Sequence, residues 1–208
     1  VTVMKNTVPE IINCDNYKNI RLDMLAGKVP TACEGCHQVE QAGGKSKRQL
    51  ETSRNLDHAA LTAEDGSIKA DLRHIELRLG NFCNLKCRSC DPSHSTLWQN
   101  EHLKIFNVRG YDMPYGQSGD EQGVLWKDRQ NWYAGLKRLE IVGGEPFYVK
   151  QWHQIWDELI DQGYARKMSL NMSTNCTIIY PEMLRKLWRN FKGFGIALSI
   201  DGTGAQYE

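Results

Sequence analysis

Three cysteines fall within eight residues of this sequence, Cys83, Cys87 and Cys90 in "CNLKCRSC". Thiolates spaced this way on a tight loop can converge on one metal centre, and cysteine-only ligation suits an iron–sulfur cluster or zinc. A closed tetrahedral site takes four protein ligands. A cubane cluster held by three cysteines keeps one iron without a protein ligand, and an open coordination position is where a substrate or cofactor binds. A structural zinc that takes its fourth ligand from His94 or Cys176 is the competing use of the same thiols. A second pair, Cys33 and Cys36 in "CEGC", has Cys14 upstream and His37 adjacent. Thioredoxin-like chemistry would need that motif to open a helix after a strand in a compact α/β unit. The neighbourhood reads as polar and turn-rich, so a metal site fits better than redox exchange, with two unligated thiols as the plain alternative.

The elements that must hold these cysteines change character along the chain. Residues 1 to about 55 contain "NYKNIRLDMLAGK", a short helix closed by Gly27, then the turn "VPTACEGC" and the polar, partly helical "HQVEQAGGKSKRQLETSRN". Large apolar residues are too few there for an independent core, and the segment is expected to pack on the remainder. "LDHAALTAEDGSIKADL" reads as a connector. From residue 73 strands and helices alternate. "RHIELRL" puts Ile75, Leu77 and Leu79 on one face, and the three-cysteine loop comes after its end. "SHSTLWQNEHLKIF" reads as a helix, "NVRGYDMPYGQSGDEQG" as a long Gly-rich loop, and "VLWKDRQNWYAGL" as an amphipathic segment. Further strands are "KRLEIVGG", "KMSLNMSTN" and "GFGIALSIDG", separated by a helix carrying Trp152, Ile155, Trp156 and Leu159 and by "PEMLRKLWRNF" with Pro181 in its first turn. Alternation of this kind implies parallel β/α units with chemistry at the strand C-termini.

Composition removes several function classes. With 26 basic and 25 acidic residues the net charge is +1, so no general electrostatic drive toward nucleic acid exists. No apolar run approaches the ~18–20 residues needed to span a bilayer, and the N-terminus lacks a signal-peptide pattern, so a cytoplasmic location without membrane attachment is expected. Seven cysteines, an odd number in short clusters, do not form a disulfide framework. The lone histidines His58, His74, His102 and His153 show no partner pattern, and Trp126, Trp132, Trp152, Trp156 and Trp188 fall at helical spacing suited to packing. The chain starts at Val1 and stops at Glu208 soon after a strand-like run, as expected of a piece of a longer protein.

Four motifs together carry a family resemblance over residues 73 to 208. "CNLKCRSC" resembles the C-x-x-x-C-x-x-C signature of the radical S-adenosylmethionine (SAM) enzymes, including the Asn-Leu after the first cysteine. "GGEP" at Gly143 to Pro146, "STN" at Ser173 to Asn175 and "LSIDG" at Leu198 to Gly202 are similar to that family's second, third and fourth strand-end motifs, in order. "MLAGKVPTACEGCHQVEQAGGKSKR" resembles the SPASM or twitch accessory modules of peptide-modifying members, although those usually come after the barrel. Two departures stand out. Ser89 occupies a position that is often aromatic, and four strands are visible where the family barrel usually has six.

The resemblance implies an α/β fold, a partial (β/α) TIM-like barrel, apparently truncated, over residues 70–208, preceded by a twitch-like cysteine module and connector over 1–69. It implies that Cys83, Cys87 and Cys90 hold a [4Fe–4S] cluster whose remaining iron is chelated by SAM. Gly143 and Gly144 would let backbone approach SAM, and Glu145 would lie near its ammonium group. Thr174 and Ser199 resemble hydroxyl positions that contact SAM, and Asn175 or Asp201 would assist at its ribose or carboxylate. Each of the last four would otherwise be an ordinary strand-end cap. Cys33 and Cys36 would bind a second iron–sulfur cluster, with a small zinc knuckle as the rival. The implied reaction is reductive cleavage of SAM to methionine and a 5′-deoxyadenosyl radical that takes a hydrogen atom from substrate, with an external electron donor and a peptide or protein as substrate. The competing expectations are a non-catalytic zinc or iron–sulfur protein and a catalytically incompetent relative.

Overall fold

The computed structural model describes residues 5–52, 59–69, 72–106, 123–200, 202 and 204. The candidate ligand Asp201, the lone His58 and residues 107–122 of the Gly-rich loop lie outside the described residues. The chain divides into two compact units, Val1–Ala70 and Asp71–Glu208.

The first unit is helical. Helix α1 (Val8–Ile12) starts at a capping box in which Thr7 and Glu10 satisfy each other's backbone N–H groups. Next come helix α2 (Asp15–Leu25), a 3-10 turn at Thr31–Cys33, α3 (Glu34–Gln41) and α4 (Lys47–Thr52). The segment "TACEGC" is therefore not the simple turn its Pro30 suggests. Cys33 caps α3, and Glu34 places an acidic side chain in that helix's first turn, where it complements the exposed N–H groups. Polar bonds hold this unit together. The Asn13 side chain pairs with Ile68 in both directions, Nδ2 donating to the carbonyl at 3.0 Å and Oδ1 accepting the N–H at 2.9 Å. Arg21 donates to the carbonyls of Gly66 and Ile12, and Lys18 meets Asp65.

The second unit is α/β. Strands β1 (His74–Arg78), β2 (Arg138–Val142), β3 (Ser169–Thr174) and β4 (Gly193–Leu198) form one all-parallel sheet in the order β1-β2-β3-β4. Between them lie α5 (Thr96–Phe106), the short α6 (Val124–Lys127) and α7 (Arg129–Tyr133), α8 (Lys150–Asp161) and α9 (Pro181–Asn190). The "VLWKDRQNWYAGL" segment is thus two short helices broken at Asp128 rather than one. Each strand pairs with the next, and with the right-handed crossovers that parallel β/α units adopt, such an order puts every connection on the same side of the sheet.

The sequence alternation agrees with that one-sided topology. Ile75 and Leu77, Leu139 and Ile141, and Leu170 and Met172 are in register across the first three strands. Leu77, Leu139, Ile141, Leu170 and Met172 are buried, as are Trp152, Ile155, Trp156 and Leu159 of α8. Arg129 joins α7 to α8 by donating from Nε and Nη2 to Glu158, and Tyr133 donates its hydroxyl to the same carboxylate. Arg129 holds the Glu158 carboxyl below its usual range, while burial pushes the Tyr133 phenol well up. Trp132, Trp152 and Trp156 pack as their spacing suggests, but Trp188 is 71% exposed. On α9 only Leu187 is buried, and its immediate neighbour projects about 100° away around the helix. Among the described residues no helix is long and apolar enough to cross a membrane.

Candidate iron–sulfur site

The opposite face of the sheet is polar. Register places His74, Arg138, Ser169 and Gly193 in one row and Glu76, Glu140, Asn171 and Gly195 in the next. None of these is buried. Arg138 pairs with Glu140, and His74 Nε2 lies 3.3 Å from the same carboxylate, so this histidine does have a partner. A cavity of about 400 Å³ opens here, with Arg138, Glu140, Asn171 and Ser173 in its wall. An added Cβ at Gly195 would sit 2.5 Å from Asn171 Oδ1. The missing side chain thus leaves room for Asn171 to lie across β4.

The three-cysteine loop leaves the C-terminal end of β1 and is clamped at its root and by residues 92–98. Asn81, 1% exposed, donates to the Pro92 carbonyl at 2.7 Å, and its own carbonyl accepts from Thr96 N–H at 2.9 Å. Ser95 donates to Leu85 O at 2.6 Å, and Trp98 Nε1 donates to Cys87 O at 2.9 Å. The turn itself closes by Cys90 N–H to Cys87 O at 3.0 Å. α5 begins at Thr96, later than "SHST" suggests, because Asp91 accepts the N–H of Ser93 and holds residues 91–95 in turns. His94, the alternative zinc ligand, has its Nδ1 3.1 Å from Asp91 Oδ1.

The remaining strand ends meet this loop. Gly143 lies at φ +119°, and the space beside Gly144 is filled by backbone: a Cβ there would lie 2.0 Å from the Phe82 carbonyl oxygen. Gly144 N–H donates to Gly80 O and Glu145 N–H to Phe82 O, so the double glycine lets the β2 end lie on the root of the cysteine loop. Glu145 is 1% exposed, and its carboxylate accepts from Thr174 Oγ1 at 2.7 Å, Asn175 N–H at 2.9 Å and Phe147 N–H at 3.3 Å. Asn175 in turn donates from Nδ2 to Cys83 Sγ at 3.6 Å and to Asn84 Oδ1 at 3.1 Å. Thr177 accepts from Asn84 and donates to Asn175 Oδ1. Cys176, at φ +61°, is half-buried in this turn.

The structure thus brings together Cys83, Cys87, Cys90, Gly143, Gly144, Glu145, Thr174 and Asn175. Ser199 is exposed and joins them through its backbone, N–H to Thr174 O at 2.9 Å. Thr174 projects toward the buried side of the sheet, whereas its neighbour Ser173 is exposed on the polar face. Asn171, Glu140 and Arg138 carry no motif that marks them in the sequence, and Ser173 is marked only as the first residue of "STN". Period-two parity in "SLNMST" and "RLEIV" is the signal that finds them.

Thiol donors of this kind suit an iron–sulfur cluster or zinc. All three thiols are free and half-buried. Burial, and then the neighbouring Cys87 and Cys83, push the Cys90 thiol up. Among the described residues no three His, Cys, Asp or Glu side chains close on a single metal ion. In the first unit Cys33 and Cys36 are half-buried at the start of α3, and Arg48 pairs with Glu40 of that helix. No protein-family model, curated protein or solved structure matches this chain.

Proposed function

We propose that this chain is a radical SAM enzyme in which Cys83, Cys87 and Cys90 hold a [4Fe–4S] cluster at the C-terminal end of the sheet and SAM binds beside it. The observation that carries the proposal is the hydrogen-bonded junction of three separate motifs: Glu145 of "GGEP" binds Thr174 and Asn175 of "STN", and Asn175 binds Cys83 of "CNLKCRSC". Strand ends 30 to 92 residues apart gather around one group of thiols, as a site built at the ends of parallel strands requires. The uninterrupted strand order, with helices on one side and a polar face on the other, supports reading the unit as part of a (β/α) barrel.

When bound, the cluster supplies the electron for reductive cleavage of the SAM sulfonium carbon–sulfur bond, giving a hydrogen-abstracting 5′-deoxyadenosyl radical. The residues of this chain bind and orient. The three thiolates hold iron. Gly143, Gly144, Asn175, Ser199 and Asp201 stand as candidate contacts for SAM, with Ser173 beside them. Glu145 and Thr174, buried against each other, fix the loops that make those contacts. The polar face with Arg138, Glu140 and Asn171 would receive a substrate able to exchange hydrogen bonds and charge, which suits a peptide or protein side chain. Cys33 and Cys36 would take a second cluster by their resemblance to accessory modules, or zinc. A reducing cytoplasm, which keeps thiols unpaired, and an external electron donor complete the proposal.

The test is electron paramagnetic resonance on anaerobically reconstituted, reduced protein, with and without SAM, alongside iron and zinc analysis. A [4Fe–4S] signal that changes on addition of SAM, with the change abolished in Cys83→Ala, is the expected outcome. Zinc in place of iron, or a cluster signal indifferent to SAM, would instead support a non-catalytic metal protein.

A further inference from the structure

Cys83 is where the cysteine loop meets the end of β3. Cys83 Sγ accepts two N–H groups, from Leu85 at 3.4 Å and from the Asn175 side chain at 3.6 Å. Of the two donors to Cys83, the Leu85 N–H belongs to the same loop. The Asn175 amide comes from the end of β3, and its placement is strongly constrained. Its backbone N–H is held by buried Glu145 at 2.9 Å, and its Oδ1 accepts from both Thr177 N–H at 3.0 Å and Thr177 Oγ1 at 2.7 Å. With Oδ1 fixed by those donors, Nδ2 has to face the cysteine loop.

We propose that Asn175 is a positioning residue that sets the redox poise of the site: its side-chain amide donates to Cys83 Sγ and raises the reduction potential of the cluster held there. This rests on the functional reading above. An N–H donor stabilises the more electron-rich, reduced state of an iron–sulfur centre more than the oxidised one, so removing it makes reduction harder. A hydrogen bond of this kind is worth about fivefold in the one-electron equilibrium, or ~40 mV at 59 mV per decade. Glu145 acts one step further out, by holding the Asn175 backbone.

The full chain is reconstituted anaerobically with iron and sulfide, and the cluster is titrated with an added reductant and mediators, monitored by electron paramagnetic resonance. Asn175→Ala should keep the wild-type iron content while its reduced-to-oxidised ratio at a fixed potential falls about fivefold. Asn175→Gln, which retains an amide donor, should recover part of that loss. Thr177→Ser keeps the hydroxyl that donates to Oδ1 and accepts from Asn84, and should titrate as wild type. A fully loaded Asn175→Ala at the wild-type potential, or an equal shift in Thr177→Ser, would overturn the proposal. If Asn175→Ala fails to hold the cluster, wild-type protein carrying asparagine labelled with nitrogen-15 in the side-chain amide decides. Hyperfine coupling of that nitrogen to the reduced cluster supports the assignment, and its absence defeats it. Wild-type protein that assembles no [4Fe–4S] cluster fails the functional reading itself, an outcome distinct from a cluster whose potential ignores Asn175.

Discussion

The two cysteine-bearing units solve the problem of holding reactive thiols in different ways. In the α/β unit the loop of Cys83, Cys87 and Cys90 stands on a core in which Tyr133, Leu139, Trp156, Leu159 and Leu170 are all 0% exposed. Its clamps reach across the sequence from α5 and from the ends of β2 and β3. In the helical unit, Val8 is the one hydrophobic side chain buried among the described residues, and Leu25 and Leu61 are 49% and 57% exposed. The bonds that shape that unit are polar and tied to Asn13, Arg21 and Glu40. A cysteine loop on an apolar core can be organised before any metal arrives. A small unit without such a core needs further support, for which a bound metal is the common solution in short cysteine-rich segments.

The comparison breaks most readily at Trp156. Trp156→Ala removes a fully buried indole and should cost ~3–5 kcal/mol in urea unfolding, with faster amide exchange in β2 and β3. No single truncation in the helical unit should match it, and one that does would remove the distinction drawn between the units. Gly144→Ala probes the clamp rather than the core. The added methyl meets the Phe82 carbonyl at a distance no contact tolerates, so the β2 end has to move away from the cysteine loop, at ~1–3 kcal/mol, with reduced iron uptake on reconstitution. Smallest is Asn13→Ala, which removes both bonds to the Ile68 backbone. It should destabilise the helical unit by ~1–2 kcal/mol and leave exchange in the strands unchanged.

Much of the α/β unit is legible in the sequence because strand patterns are local. "HIELR", "RLEIV" and "SLNMST" alternate strictly, and the structure pairs all three in parallel with β4 as the next strand. Helices are well placed where the apolar stripe is strong, as in α8, and poorly where turns compete. The Asx-type turn at Asp91 delays α5, and Asp128 splits α6 from α7. The "TACEGC" segment misleads for a related reason: Pro30 marks a turn, yet the residues after it are free to begin a helix, and they do. Trp188 misleads because helical spacing identifies a face only when the neighbouring element covers it.

What the sequence determined on its own was which residue types could do chemistry and roughly where along each strand they fall: three thiols after β1, a double glycine and Glu145 after β2, and Thr174 and Asn175 at the end of β3. Thiol spacing and strand parity are properties of a few consecutive residues, so they survive without a fold. Only the tertiary structure decided which of these groups touch. Glu145 turned its carboxylate to β3 because burial demands hydrogen-bond donors and the nearest were the Thr174 hydroxyl and the Asn175 amide. Asn175 reached Cys83 across 92 positions because parallel pairing through β2 brings the ends of β1 and β3 to the same edge of the sheet.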